Sequence, residues 1–168
     1  MDSWGSLFER AAAVDTDKRA VRGALEAIRG SEAGHSGADP DPSVSSPAES
    51  GPARVVADAD VLAADLVLGG AARDALDPLR RHRWTTLLAS DPLVDDAETV
   101  IAEVADPALA AAWRERSAAW RDPVSHPADD NPALGSAYRG GAMHLLTFDE
   151  RLRSTRRRRV RRSAASSP

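Results

Sequence analysis

The stretch Arg54-Val-Val-Ala-Asp58-Ala-Asp60-Val-Leu62 decides the fold expected for this chain. Its apolar run, residues 55–57, ends on an acid and passes directly into a segment compatible with a helix. A buried parallel strand that delivers a carboxylate to the rim of an α/β sheet has this pattern. Residues 144–149 (His-Leu-Leu-Thr-Phe-Asp) repeat it near the other end of the chain. Because sites in open α/β sheets lie beyond the carboxyl ends of strands, we expect the two strand-end acids to be neighbours.

Strands and helices alternate downstream of this stretch. Residues 84–89 form a second apolar run, and the Ser-Asp-Pro at 90–92 starts a helix because proline suits the first helical turn. A further helix is expected over 107–120, a very short third strand within 122–127, and another helix over 133–139 before the fourth strand. This alternation predicts a three-layer α/β/α domain with a parallel sheet over residues 54–152.

Three other segments flank this domain. Residues 1–29 have the apolar spacing of two short helices and predict an N-terminal helical element. Residues 30–53 are rich in Gly, Pro, Ser and acids and predict a flexible linker. Residues 153–168 form a basic tail, which we expect to be disordered.

The composition excludes several classes of protein. There is no cysteine, so disulfides and thiolate metal sites are absent. No run approaches the roughly 20 apolar residues of a membrane span, and the N-terminus lacks the features of a signal peptide, so we expect a cytoplasmic protein without membrane partners. All 26 acids lie at or before Glu150, whereas 8 of the 22 Lys and Arg residues follow it. An acid-rich chain with a single lysine is typical of halophilic proteins.

Acidic side chains recur at strand ends and helix starts. They are Asp58, Asp60, Asp95, Asp96, Asp129, Asp130 and Asp149. Bringing several carboxylates together costs electrostatic energy unless a cation compensates. Oxygen ligands suit Mg²⁺ or Mn²⁺, and such ions support hydrolysis of phosphodiesters. The four histidines include no i, i+4 pair, which argues against a zinc site.

Three blocks of the sequence carry a resemblance to a known family. They are residues 55–62 (Val-Val-Ala-Asp-Ala-Asp-Val-Leu), residues 90–100 (Ser-Asp-Pro-Leu-Val-Asp-Asp-Ala-Glu-Thr-Val) and residues 131–149, which end in Leu-Leu-Thr-Phe-Asp. In this order they resemble the PIN-domain ribonucleases. The first block resembles the family's opening strand and its Asp, and the second resembles a helix that begins near a Ser and carries a Glu. The third resembles the family's last helix, turn and closing Thr-x-Asp. The resemblance covers about residues 54–152.

The resemblance implies a metal-dependent ribonuclease with a parallel PIN-like sheet. Asp58, Asp96 and Asp149 would be the catalytic metal ligands, with Asp130 as a fourth. Asp96 stands where the family has Glu, and Asn131 falls where it has a third acid.

Three supporting residues and several partners follow from the same resemblance. Thr147 or Ser90 would orient the ligands, and Asn131 would be a further supporting residue. The implied cofactor is Mg²⁺ or Mn²⁺ and the implied substrate is RNA. An antitoxin or a second copy of the chain would be the protein partner, as in toxin–antitoxin pairs.

Two other functions stay open at this point. The first is a catalytically inactive PIN-like module that binds RNA or protein, which Asn131 favours. The second is a haloacid-dehalogenase-like phosphatase, in which Asp58 is the nucleophile and Asp60 the general acid/base. That chemistry needs a downstream lysine, but the only lysine is Lys18, so Arg139 would have to replace it. Each acid also has a local alternative as a helix cap or a solvated loop residue.

The arginine-rich tail has three interpretations: an arm that contacts nucleic-acid phosphates, a disordered terminus, or the product of a slipped reading frame. The resembled family continues with a helix and an edge strand that the tail cannot supply. Without such an edge strand, one edge of the sheet would be exposed.

Overall fold

The computed structural model describes residues 2–32 and 48–152. The predicted tail and most of the predicted linker lie outside these residues. The elements run in the order α1 (Trp4–Ala11), α2 (Lys18–Glu32), β1 (Gly51–Ala57), α3 (Ala59–Val67), α4 (Gly70–Arg81), β2 (Thr86–Ala89), α5 (Asp91–Val104), α6 (Pro107–Trp120), β3 (Asp122–Pro123), α7 (Pro132–Gly140) and β4 (Ala142–Leu146). A helical turn follows at residues 150–152.

The four described strands form one parallel sheet in the order β3-β2-β1-β4. Strand β1 lies inside, with Val55 opposite Leu87 of β2 on one side and His144 of β4 on the other. The chain moves outward from β1 through β2 to β3, and then returns to the opposite side of β1 as β4. The topological switch point therefore lies between β1 and β4. The structure confirms the predicted α/β class and three-layer arrangement.

The N-terminal helices share the core of the main domain. Leu7 of α1 and the residues Val21 and Leu25 of α2 are fully buried in the same cluster as the strands and α3. Helix α2 packs against α3 and α5. It continues through Gly30 to Glu32 instead of ending at residue 29, because an isolated glycine lowers helix stability without stopping the helix.

Strand β1 begins three residues earlier than expected. Gly51 lies opposite Ala142, and its amide donates a hydrogen bond to the carbonyl of Gly141 at 2.9 Å. Gly141 has a φ of +68° and caps the end of α7, so that β4 can start immediately beside β1. Pairing with β4 thus extends β1 into a segment whose composition is typical of a linker.

Polar caps explain where several helices begin. Side-chain oxygens of Asp58, Ser90, Asp106 and Asn131 accept hydrogen bonds from the first amides of α3, α5, α6 and α7. Proline follows within the first turn of α5, α6 and α7, where its missing N–H is not needed. Among the described helices none is long and apolar enough to cross a membrane.

Candidate acidic site at the switch point of the sheet

The ends of β1 and β4 bring three of the predicted residues together. The amide of Asp58 donates to the carbonyl of Leu146 at 2.8 Å. The Thr147 hydroxyl donates to Asp58 Oδ2 at 3.2 Å and accepts a hydrogen bond from the Asp149 amide at 3.0 Å. The strand-end residues Asp58, Thr147 and Asp149 therefore form one hydrogen-bonded group at the switch point.

Asp96 of α5 joins this group through an arginine. The Arg29 guanidinium donates from Nη2 to Asp58 Oδ1 at 2.7 Å and from Nη1 to Asp58 Oδ2 at 3.3 Å. Its Nε donates to Asp96 Oδ2 at 3.4 Å. Both carboxylates are buried, whereas the Arg29 side chain is 20% exposed. One guanidinium thus lies between the carboxylates of Asp58 and Asp96.

A second arginine of α2 binds the neighbouring acid. Arg22 Nη1 donates to Asp60 Oδ2 at 2.9 Å, and Asp60 Oδ1 accepts from the Val61 amide at 2.7 Å. Asp60 is fully buried in the first turn of α3. We define Asp58, Asp60, Asp96 and Asp149, with Thr147, as the acidic site.

Burial and charge act in opposite directions on Arg22 and Arg29. Burial by itself lowers the pKa of each arginine, but the hydrogen bonds and charges of the acids raise it overall. For Arg22 the acids are chiefly Asp60 and then Asp149, so Asp149 is close enough to affect this arginine. For Arg29 they are Asp58 and Asp96. Both arginines stay charged in the acidic site.

For Asp60, unlike the two arginines, burial outweighs the effect of the hydrogen bond with the oppositely charged partner. Burial, followed by the charge of Asp58, raises the pKa of Asp60 above its ordinary value, although the hydrogen bond from Arg22 lowers it. Asp60 therefore takes up a proton at higher pH than an ordinary aspartate does. Asp58, Asp60 and Asp96 are thus paired with two arginines of α2.

Sequence reasoning missed Arg22, Arg29 and the burial of Asp60. The two arginines lie seven residues, or two helical turns, apart on α2 and so project from the same face. Val21 and Leu25 mark the buried side of this helix. Arginines adjoining the apolar stripe of an amphipathic helix are the one local signal that could have indicated them.

The structure does not bring Asp130 to the acidic site. Asp130 is exposed in the loop before α7, and its side chain makes no hydrogen bond with the described residues. Asn131 caps α7, and its Oδ1 accepts hydrogen bonds from the amides of Ala133 and Leu134 at 3.0 and 3.2 Å. No hydrogen bond or ion pair among the described residues joins Asp130 to the acidic site, and its role as a substitute for the third acid stays a prediction.

Ser90 makes its hydrogen bonds with residues outside the acidic site. Its hydroxyl accepts a hydrogen bond from the Leu93 amide at 3.3 Å and lies 2.8 Å from His126 Nε2. His126 packs directly against Gly135, where a Cβ would come within 2.7 Å of the imidazole Cγ. Ser90 and His126 thus connect β2 and α5 to α7. Of the three predicted supporting residues (Ser90, Asn131 and Thr147), Thr147 is the one with a hydrogen bond to an acid among the described residues.

The oxygen atoms of the acidic site are of the kind that hard divalent cations prefer, but Arg29 already supplies positive charge there. Within residues 2–32 and 48–152 there is no preformed group of three or more His, Asp or Glu side chains that could hold a metal ion. The cationic group between Asp58 and Asp96 is the Arg29 guanidinium. Carboxylates supplemented by a hydroxyl suit Mg²⁺ or Mn²⁺, which keep several waters of their own. Asp58 and Asp96, with the Thr147 hydroxyl nearby, are the oxygen donors that could hold such an ion.

The lysine required by the phosphatase alternative lies beside the end of β4. Lys18 Nζ is 4.3 Å from the ring centroid of Phe148, between Thr147 and Asp149 in the chain. Arg139, the expected substitute, lies over the Tyr138 ring. Lys18 therefore lies beside the segment that carries Thr147 and Asp149, although it precedes the first strand.

Comparison with known proteins yields one match. A family model described as a family of unknown function (DUF7384) matches residues 49–166. No curated protein and no solved structure matches the chain. The matched region contains all four acids and extends into the arginine-rich tail, which does not favour a slipped reading frame. Helix α2, with both arginines, precedes the matched region.

Proposed function

Because the chain belongs to the DUF7384 family, whose description gives no function, we propose an activity from its acidic site: divalent-metal-dependent hydrolysis of RNA, of the PIN-like type. The observation that carries the proposal is the convergence of buried Asp58 and Asp96 on a single cationic group. Two buried carboxylates that share one cationic partner are costly to keep charged without it.

The position of the acidic site also supports the proposal. Ligands of open α/β sheets bind where the strand order reverses, beyond the carboxyl ends of the strands. Asp58 and Thr147 occupy this place at the ends of the adjacent strands β1 and β4. Helix α5 adds Asp96 from its second turn. The acids thus come from distant parts of the chain and meet at the expected location.

Each residue has a distinct part in the proposed chemistry. A bound Mg²⁺ or Mn²⁺ supplies charge for the phosphodiester and lowers the pKa of a bound water. Asp58 and Asp96 hold the ion, and the Thr147 hydroxyl keeps Asp58 in position. Asp149, near Arg22, adds negative charge at the open side of the site. Mutual repulsion among these acids makes the site selective for a cation of high charge.

RNA is the proposed substrate on the basis of the resemblance to PIN-domain ribonucleases. The 8 basic residues after Glu150 all lie within the family match and provide charge for phosphate contacts. We propose that the activity is cytoplasmic on the composition of the chain, which contains no cysteine. An antitoxin or a second copy of the chain is the partner that the same resemblance predicts.

Asp96→Asn is expected to reduce cleavage of single-stranded RNA by about 100-fold or more in saturating Mn²⁺, because the ion loses a charged ligand. The amide keeps an oxygen for Arg29, so far-ultraviolet circular dichroism should stay unchanged. The matched control is Asp74→Asn, which alters an exposed acid of α4. Cleavage that survives chelator, or that Asp96→Asn leaves intact, would reject the proposal.

A second candidate function is a PIN-like module that binds RNA without cutting it. Two observations favour it: Arg29 already neutralises Asp58 and Asp96, and Asn131 is used as a helix cap. The same RNA assay separates the two functions. A module of this kind retards RNA in a gel without Mn²⁺ and produces no fragments when Mn²⁺ is added.

A further inference from the structure

All the hydrogen-bonding capacity of Asp58 is in use. Its Oδ1 accepts from Arg29 Nη2 at 2.7 Å and from the Ala59 amide at 2.8 Å. Its Oδ2 accepts from Arg29 Nη1 at 3.3 Å and from the Thr147 hydroxyl at 3.2 Å. A carboxylate offers about four acceptor positions. A metal ion can therefore reach Asp58 only when one of these donors leaves.

Arg29 is the donor that can leave. The Ala59 amide and the Thr147 hydroxyl belong to the chain on either side of the site, whereas Arg29 reaches it on a long side chain that is 20% exposed. The guanidinium can rotate into solvent while Val21 and Leu25 keep α2 in the core. The same movement removes the hydrogen bond from Arg29 Nε to Asp96.

We infer that α2 is an internal inhibitor of the acidic site, and that Arg29 and a divalent cation bind Asp58 and Asp96 in a mutually exclusive way. This inference rests on the proposed metal-dependent function and describes its regulation. Arg22 reinforces the inhibition, since its charge lies beside Asp60 and repels an approaching cation. The part of the chain that matches the family carries the acids, and the inhibiting helix precedes it.

The test is a calorimetric titration of the full chain with Mn²⁺ alone. Arg29→Met is expected to bind Mn²⁺ on the order of 100-fold more tightly than the unchanged protein. The apparent affinity is proportional to the fraction of molecules in which Arg29 has left the site, and the variant raises that fraction. Arg19→Met is the matched control. Arg19 lies on the same helix, is exposed, and makes no ion pair within the described residues, so its replacement should leave the affinity unchanged.

A second variant guards against a failure of Arg29→Met to fold. Arg29→Lys keeps one positive charge but cannot bind Asp58 through two nitrogens. Its Mn²⁺ affinity should therefore lie between that of the unchanged protein and that of Arg29→Met. Thermal unfolding gives an independent measurement. Mn²⁺ should raise the unfolding midpoint of both Arg29 variants by about 5 °C or more and that of the unchanged protein by much less.

The outcomes separate the two proposals. Equal Mn²⁺ affinity in the unchanged protein and both Arg29 variants would overturn the inhibition but leave the metal-dependent function standing. An equal gain in Mn²⁺ affinity from Arg19→Met would also overturn the inhibition, since the change in net charge would then explain the effect. Absence of Mn²⁺ binding in every folded variant would overturn both. Tighter binding only on replacement of Arg29 supports both.

Discussion

Arg80→Met is expected to lower the free energy of unfolding by about 3–5 kcal/mol at neutral pH, because it leaves the buried charge of Asp65 without a partner. Asp65 lies in α3, where every residue is buried, and its carboxylate pairs with the Arg80 guanidinium. The Arg80 guanidinium lies over the rings of Trp4 and Trp120, 4.4 and 4.7 Å from their centroids. This pair therefore ties α1 to the main domain.

The loss should depend on pH in a defined direction. Burial raises the pKa of Asp65 above its ordinary value of 3.8, although Arg80 opposes this. Without Arg80 the pKa rises further, and the folded state then binds a proton that the unfolded state releases. Stability of the variant must therefore fall as pH rises through the interval between these two pKa values. The cost of Arg80→Met is full above the raised pKa and fades towards pH 4.

Urea unfolding at pH 4 and pH 7, followed by tryptophan fluorescence, measures both quantities. The control is the double variant Asp65→Leu with Arg80→Met. Because it removes both charges, most of the lost stability should return. The same loss at both pH values would contradict the assignment of the effect to the charge of Asp65.

Asp58→Ala is expected to lower the free energy of unfolding by about 4 kcal/mol, the second large effect. Arg29 would lose its closest partner, and the free energy that holds its guanidinium at the acidic site accounts for most of the loss. The start of α3 would also lose its cap, since the Ala59 amide donates to Asp58. Because the Arg29 side chain is 20% exposed, solvent reduces this cost towards the lower end of the range for buried pairs.

Asp106→Ala isolates the part of this loss that comes from the cap. Asp106 caps α6 by accepting a hydrogen bond from the Leu109 amide at 2.7 Å and takes part in no ion pair among the described residues. Its replacement should cost only about 1 kcal/mol. Urea unfolding of both variants gives the comparison. If the two losses are equal, the Arg29–Asp58 pair contributes nothing to stability.

The strand ends could be predicted because their signal is local. An apolar run that stops at an acid places Asp58 and Asp149 at the carboxyl edge of the sheet, and the parallel arrangement then makes them neighbours. The role of Thr147 was implied by the resemblance to the PIN-domain family. The local pattern therefore predicted where these residues lie, whereas the hydrogen bonds that join them come from the structure.

The arginines could not be predicted because their partners are far away in the chain. Arg29 contacts Asp58 and Asp96, which lie 29 and 67 positions away. No local pattern specifies such a pairing. Residues 1–29 were expected to form a helical element, but their spacing says nothing about which face of the domain α2 covers.

Asn131 shows how one pattern can support two interpretations. The pair Asn131-Pro132 is typical of a helix cap followed by proline in the first turn, and the structure shows this arrangement. The alignment with the resembled family instead indicated a place for a metal ligand. The two amides that Asn131 binds decide between them, because they use its side-chain oxygen.

In the proposed site, Asp58 and Asp96 bind a divalent cation, and Arg29 occupies the position of that ion in its absence. Crystals of the Arg29→Lys variant grown with MnCl₂, with data collected at the manganese absorption edge, provide the sharpest test. We expect an anomalous peak between the carboxylates of Asp58 and Asp96. The claim is contradicted if those carboxylates are ordered with no peak between them while manganese occupies other positions in the crystal.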